Sequence, residues 1–105
     1  MHLLHPDQLP TEVWEGFPFK ALLNPDIGGG LGVYLLTIKN SNPHAHDDLD
    51  QIYIIIDGYG QMNIDGQTRK IRPGSLVHIP KGKMHSLTPA GNGVVTVYSI
   101  EYHPR

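Results

Sequence analysis

The sequence predicts an all-β domain, a sandwich or a barrel, on three observations. Short runs rich in β-branched and aromatic residues recur along its 105 residues, and Gly, Pro, Asn or Asp punctuates them. No stretch carries the apolar period of a convincing amphipathic helix. Many short strands joined by turns bury their apolar faces by closing on one another. A chain of this length supplies one core, so residues 1–105 read as a single domain.

The elements follow in chain order. Gly28-Gly29-Gly30-Leu31-Gly32 has the look of a nucleotide-binding loop, but that loop needs a strand before it and a helix after it. A strand follows instead, Val33-Tyr34-Leu35-Leu36-Thr37-Ile38, so the glycines read as a flexible turn. Ile52-Tyr53-Ile54-Ile55-Ile56 is the next strand, and Asp57-Gly58-Tyr59-Gly60 a turn or bulge that ends it. Asp65-Gly66 stands between Gln61–Ile64 and Thr68–Ile71 and is the strongest hairpin signal in the chain. Leu76–Ile79 and Val94–Tyr102 complete the set.

Composition excludes several classes of partner. The formal charge is −2, and Lys and Arg are scattered, so no basic stripe points to nucleic acid. Wholly apolar runs are far too short to span a membrane. Met1-His2-Leu3-Leu4-His5 has neither the basic start nor the long apolar stretch of a secretion signal, and a cytoplasmic protein is the default expectation. Cysteine is absent, which removes disulfides, thiolate ligands and a thiol nucleophile.

The chemistry concentrates in two stretches. His44-Ala45-His46-Asp47-Asp48-Leu49-Asp50-Gln51 is answered by Gly74-Ser75-Leu76-Val77-His78-Ile79-Pro80-Lys81-Gly82-Lys83-Met84-His85. Residues at i and i+2 of a strand share a face, so His44 and His46 can grip one ion together. Gln51, opening the next strand, can reach the ion from the same side, and His85 after the turn Pro80-Lys81-Gly82 can add a fourth ligand. Asp50 is the alternative to Gln51. Asp47, Asp48 and Asp50 either orient the imidazoles from behind or stand in solvent as loop acids.

These stretches resemble the two motifs of the cupin superfamily. The first motif reads Gly, five residues, His-x-His, three or four residues, Glu, six residues, Gly; here His44, His46 and Gly58 are in register, Gln51 holds the Glu place, and Ile38 replaces the leading Gly. The second reads Gly, five residues, Pro-x-Gly, two residues, His, three residues, Asn; Gly74, Pro80, Gly82 and His85 fit, and Pro89 replaces the Asn. Motif 1 spans about 44–58 and motif 2 about 74–89. The resemblance implies a double-stranded β-helix (jelly-roll) barrel of two antiparallel sheets, with His44, His46, Gln51 and His85 around one divalent transition metal: Mn, Fe, Ni, Co or Zn. Gln51 keeps the spacing to Gly58, whereas Asp50 lengthens it.

Such a ligand set is neutral, which leaves the charge of the ion uncompensated and strengthens it as a Lewis acid. Two adjacent positions of an octahedral ion stay open for a substrate that chelates through neighbouring oxygens. The expected activity is a metal-dependent isomerase or lyase on a small anionic or polyoxygenated substrate, an oxygenated acid or sugar-derived keto compound. A non-haem iron dioxygenase and a non-catalytic binding protein are the alternatives. Tyr34, Tyr53 and Tyr98 are candidates for proton transfer if they face inward. Uronate-isomerising cupins carry an Asp and an Arg on the last strand; Val95-Thr96-Val97-Tyr98-Ser99-Ile100 offers neither, so that substrate is not expected. A homodimer is implied, with Tyr53, Met62, His78 and the last strand as its surface. His2, His5 and His103 read as solvated, and His78 as a surface or subunit-contact residue.

Overall fold

A computed structural model describes residues 1–40, 43–46, 49–91 and 93–104. Nine strands, β1 (Glu12–Trp14), β2 (Phe17–Leu23), β3 (Leu31–Ile38), β4 (Asp50–Asp57), β5 (Gly60–Ile64), β6 (Gln67–Ile71), β7 (Leu76–Ile79), β8 (His85–Pro89) and β9 (Val95–Tyr102), form among the described residues. They build a six-stranded sheet, β1-β2-β3-β9-β4-β7, and a three-stranded sheet, β6-β5-β8. Every pairing is antiparallel, which gives the two-sheet jelly-roll architecture. No helix among the described residues is long and apolar enough to cross a membrane.

β9 organises the larger sheet. It pairs with β3 from Leu31↔Tyr102 to Ile38↔Val95 and with β4 along its other edge. Its alternation sends Val95, Val97 and Ser99 inward, where each is fully buried. Ile38, Ile55, Ile79, Val95 and Val97 of this sheet pack against Met62, Ile71 and Leu87 of the other. Burial of each such side chain stabilises the closed barrel by about 1.5–3 kcal/mol.

The turns follow from local chemistry. Asp65 (φ 49°) and Gly66 (φ 84°) both take positive φ, the geometry of a tight hairpin turn, and Ile64 pairs directly with Gln67. Gly58 has φ 92°, and a Cβ there would lie 2.3 Å from the Val94 carbonyl oxygen, so this bend admits only glycine. Gly28–Gly30 form a turn ahead of β3.

Three strands escape the sequence reading. β2 contains Pro18, which demotes a strand pattern, yet Pro18 stands at the start of the strand opposite Val13 of β1, and the pairing with β3 begins only at Phe19. Glu15-Gly16, both at positive φ, turn the β1–β2 hairpin without the usual Asn or Asp signal. β8, His85-Ser86-Leu87-Thr88-Pro89, is short and polar, but its alternation buries His85, Leu87 and Pro89.

Two expectations about surfaces need correction. Tyr53 (5% exposed) and Met62 (3%) belong to the core, because the register of β4 and β5 turns them between the sheets, so neither can form a partner surface. His103 is not simply solvated: its backbone N–H donates to the Gly30 carbonyl at 2.7 Å, and its Nε2 lies 3.6 Å from the Glu101 carboxylate. His5 caps the short 3-10 helix Pro6–Gln8, and the His2 ring reaches the Leu22 carbonyl. His78 is exposed on the outer face of β7, as its alternation predicts.

Candidate metal centre

Backbone pairing assembles the histidines. His44 donates its N–H to the His85 carbonyl at 3.0 Å, and His85 donates back to His44 at 2.8 Å, an isolated bridge rather than the continuous strand expected for His44 and His46. The Gly82 N–H donates to the His46 carbonyl at 2.6 Å, so the Pro80–Gly82 turn clamps the first motif from beneath. The three ring centroids are 4.1 Å (His44–His85), 5.3 Å (His44–His46) and 5.6 Å (His46–His85) apart. One nitrogen from each ring lies within 4.8 Å of the other two. Three donors at about 2.1 Å from one ion stand about 3.0–3.6 Å apart, so side-chain movements of at most about an ångström bring all three to bonding distance.

His85 is prepared for that role. Its Nδ1 lies 3.1 Å from the Lys83 carbonyl, which can only accept, so the proton resides on Nδ1 and Nε2 presents a lone pair. That Nε2 is buried without a hydrogen-bond partner. Burial, with His44 and His46 alongside, pushes the pKa down to about 4 despite the opposing Lys83 hydrogen bond, which keeps the imidazole neutral.

Gln51 presents the second such atom. β4 alternates so that Gln51, Tyr53 and Ile55 are buried on the inner face. The Gln51 amide Nε2–H donates to Ser99 Oγ at 2.8 Å, which fixes the orientation of the amide, and Oε1 is left buried with no hydrogen-bond partner. An unsatisfied buried carbonyl costs about 1–3 kcal/mol. A cation is one partner such a carbonyl can accept. Asp50 faces the other way, accepting the Lys81 N–H at 3.1 Å and lying 3.9 Å from His78 Nε2. Asp47 and Asp48 lie outside the described residues.

A cavity of about 400 Å³ opens over these groups and is lined by His44, His46 and Gln51. Tyr34 and Tyr53 also line it, whereas Tyr98 does not: the inward positions of β9 are Val95, Val97 and Ser99, which leaves Tyr98 on the opposite face. Tyr98 is therefore removed from the proton-transfer candidates. Burial, and then the charge of Glu101, pushes the Tyr53 hydroxyl far above its ordinary range and raises Tyr34 as well. Both phenols keep their protons and can donate, not abstract.

Glu101 itself was missed. It lines the cavity and stands opposite Gln51 in the β4–β9 register. The signal was available in the inward alternation Val97, Ser99, Glu101, one residue beyond the segment searched for a carboxylate. Trp14 was missed too, and its ring lies 6.3 Å from His44 and 6.4 Å from His46.

Comparisons with known proteins agree with this fold. The cupin-domain family model matches residues 36–101. An uncharacterized protein of Aquifex aeolicus is 34% identical over 53 residues; the match covers 50% of this chain and spans under half, 44%, of that protein. Among solved structures, a predicted oxalate decarboxylase from Thermotoga maritima superposes with TM-score 0.86 at 16% identity, covering 97% of this chain and 99% of that one. Ectoine synthase from P. lautus gives TM-score 0.85 at 15% identity, covering 100% and 80% respectively. At such identities the likeness establishes the fold.

Proposed function

This chain belongs to the cupin-domain family, and from that premise we propose that it is a metal-dependent isomerase or lyase acting on a small carbonyl-bearing molecule. His44, His46, Gln51 and His85 are the proposed ligands of one divalent transition metal. A single observation carries the reading: His85 Nε2 and Gln51 Oε1, two buried acceptors without hydrogen-bond partners, accompany three imidazoles whose nitrogens lie within 4.8 Å. Isolated buried acceptors are costly, and two of them beside one histidine cluster are accounted for together by a cation.

A bound ion of this kind supplies a Lewis acid that polarises a carbonyl oxygen. The protein's own groups do the rest. Ser99 Oγ accepts from Gln51 Nε2, so in this reading the amide oxygen is the atom left to serve the ion. Tyr53, kept protonated by burial, donates a hydrogen bond or a proton to a substrate oxygen. The Glu101 carboxylate on the same cavity wall accepts a proton from the neighbouring carbon. A homodimer is retained as part of the proposal, supported by the exposed Leu76, His78 and Tyr102, and light scattering at micromolar concentration tests it.

The test of the activity is a panel of keto acids and hydroxy-ketones with metal-loaded and chelator-treated protein, with oxygen uptake followed in parallel. Turnover that requires metal and consumes no oxygen is expected. Full-rate turnover by metal-free protein overturns the reading, and stoichiometric oxygen uptake replaces it with a dioxygenase.

A further inference from the structure

The cavity over the histidines is chemically two-sided. Its polar groups are His44, His46, Gln51, Glu101 and the hydroxyls of Tyr34 and Tyr53, while Trp14, Phe17, Phe19 and aliphatic side chains make up the rest of the lining. The aromatic wall is continuous with these polar groups. Trp14 lies 6.4 Å from Phe17 as well as beside His44 and His46, and Phe19 meets Tyr34 edge-on at 6.1 Å. Among the described lining residues there is no Lys or Arg, and Glu101 is the charged one.

Each feature discriminates between substrate classes. Away from the ion of the metal reading, a carboxylate would meet Glu101 and no Lys or Arg, and a polyhydroxylated body would find the Tyr34 and Tyr53 hydroxyls but press its other hydroxyls on carbon. A flat apolar body instead lays a face on the wall that Trp14, Phe17 and Phe19 form on one side of the β1–β2 hairpin, gaining area and ring contacts. The volume, about 400 Å³, falls within the range of small-molecule sites.

We propose that the cavity takes an uncharged molecule with a flat aromatic body and two neighbouring oxygens at one end, the oxygens over the histidines and the ring against the wall of Trp14, Phe17 and Phe19. This departs from the anionic or polyoxygenated substrate expected from the sequence. The placement of the oxygens rests on the metal reading above; the placement of the ring does not.

Three probes separate the two parts. 2,3-Dihydroxynaphthalene has both the ring and the oxygen pair, 2-naphthol has the ring with a single oxygen, and tartrate has oxygens and charge without the ring. Binding to the full chain, zinc-loaded and metal-free, is measured by calorimetry. Quenching of Trp14, the chain's single tryptophan, reports where the aromatic probes sit. Dihydroxynaphthalene is expected to bind zinc-loaded protein at least about tenfold more tightly than tartrate, and 2-naphthol to bind with or without zinc. Trp14→Ala, at a half-exposed edge position that leaves the core intact, is expected to weaken both aromatic probes about tenfold and tartrate not at all. Phe19→Ala serves as a second wall variant with the same expectation.

Tartrate binding as tightly as dihydroxynaphthalene, or aromatic probes indifferent to both wall substitutions, overturns the proposal. If 2-naphthol binds and senses Trp14 while zinc adds nothing for dihydroxynaphthalene, the aromatic wall stands and the oxygen placement is overturned; the metal reading fails only if the protein also takes up no zinc in the same titration.

Discussion

Replacing Gln51 by Glu separates the metal site from the fold around it. Gln51 is 5% exposed, and Glu101 stands opposite it in the strand register. A carboxylate at position 51 would be buried beside a second carboxylate, and both effects raise its pKa. Its cost to the metal-free protein at pH 7 has a ceiling. Once the pKa passes 7 the group takes up a proton instead of staying charged, which limits the loss to about 3.7 kcal/mol from an ordinary value near 4.3. A loss of about 2–3.5 kcal/mol is expected, lowering the midpoint of thermal unfolding by about 8–15 °C. A divalent ion at the site reverses the sign, because the new charge becomes a ligand. The rise in melting temperature on adding zinc, nickel or cobalt should therefore be larger in Gln51→Glu than in wild type by about the amount lost without metal. Thermal unfolding of chelator-treated and metal-loaded samples of both proteins measures all four corners. If the metal-induced rise is the same in both, position 51 does not face the ion and the four-ligand arrangement is wrong. Turnover should fall in the same variant, since an anionic ligand weakens the Lewis acid.

Three further outcomes are expected. His46→Ala should weaken metal binding by well over the roughly 100-fold reached by losses outside the ligand shell, with far-UV circular dichroism unchanged, because the apolar core is untouched; a fall of a few-fold would remove His46 from the ligands. Burial, aided by His44 and His46, lowers the His85 pKa from 6.5 to about 4, so the unfolded chain binds a proton first as pH falls. The metal-free protein should accordingly keep this contribution above pH 6.5 and lose about 3 kcal/mol between pH 6.5 and 4; urea unfolding across that window should show the decline, and His85→Phe should flatten it. Gly58→Ala should cost more than about 2 kcal/mol, because φ 92° is strained for alanine and the added Cβ meets the Val94 carbonyl at 2.3 Å; a variant with an unchanged unfolding midpoint would contradict this.

What the sequence disclosed was what local spacing encodes. His44, His46, Gln51 and Gly58 stand at fixed intervals, as do Gly74, Pro80, Gly82 and His85, and such intervals survive in one dimension. The Asp65-Gly66 turn was legible for the same reason. The inward alternation Val97, Ser99, Glu101 is also local, but the place of Glu101 beside Gln51 is not, because it depends on β9 lying between β3 and β4 in one register. The three tyrosines make the point more finely. Tyr34, Tyr53 and Tyr98 all sit on strands, and only the observed register turns the first two into the cavity and the third away. Trp14, Phe17 and Phe19 stayed hidden because Pro18 and the Glu15-Gly16 turn disguised a hairpin, so the aromatic wall, and the substrate preference it carries, emerged only from the fold.

The mutual hydrogen bonds between His44 and His85 belong to the main chain. Any residue other than proline can make them, so the closure of the two motifs is indifferent to the imidazoles that it brings together. The frame and the reactive groups are in this respect inherited separately: residues 44, 46 and 85 can be exchanged one at a time while the loops that carry them remain joined. A lineage built on such a frame can alter the side chains it presents at these positions without giving up the backbone bridge that joins the two loops.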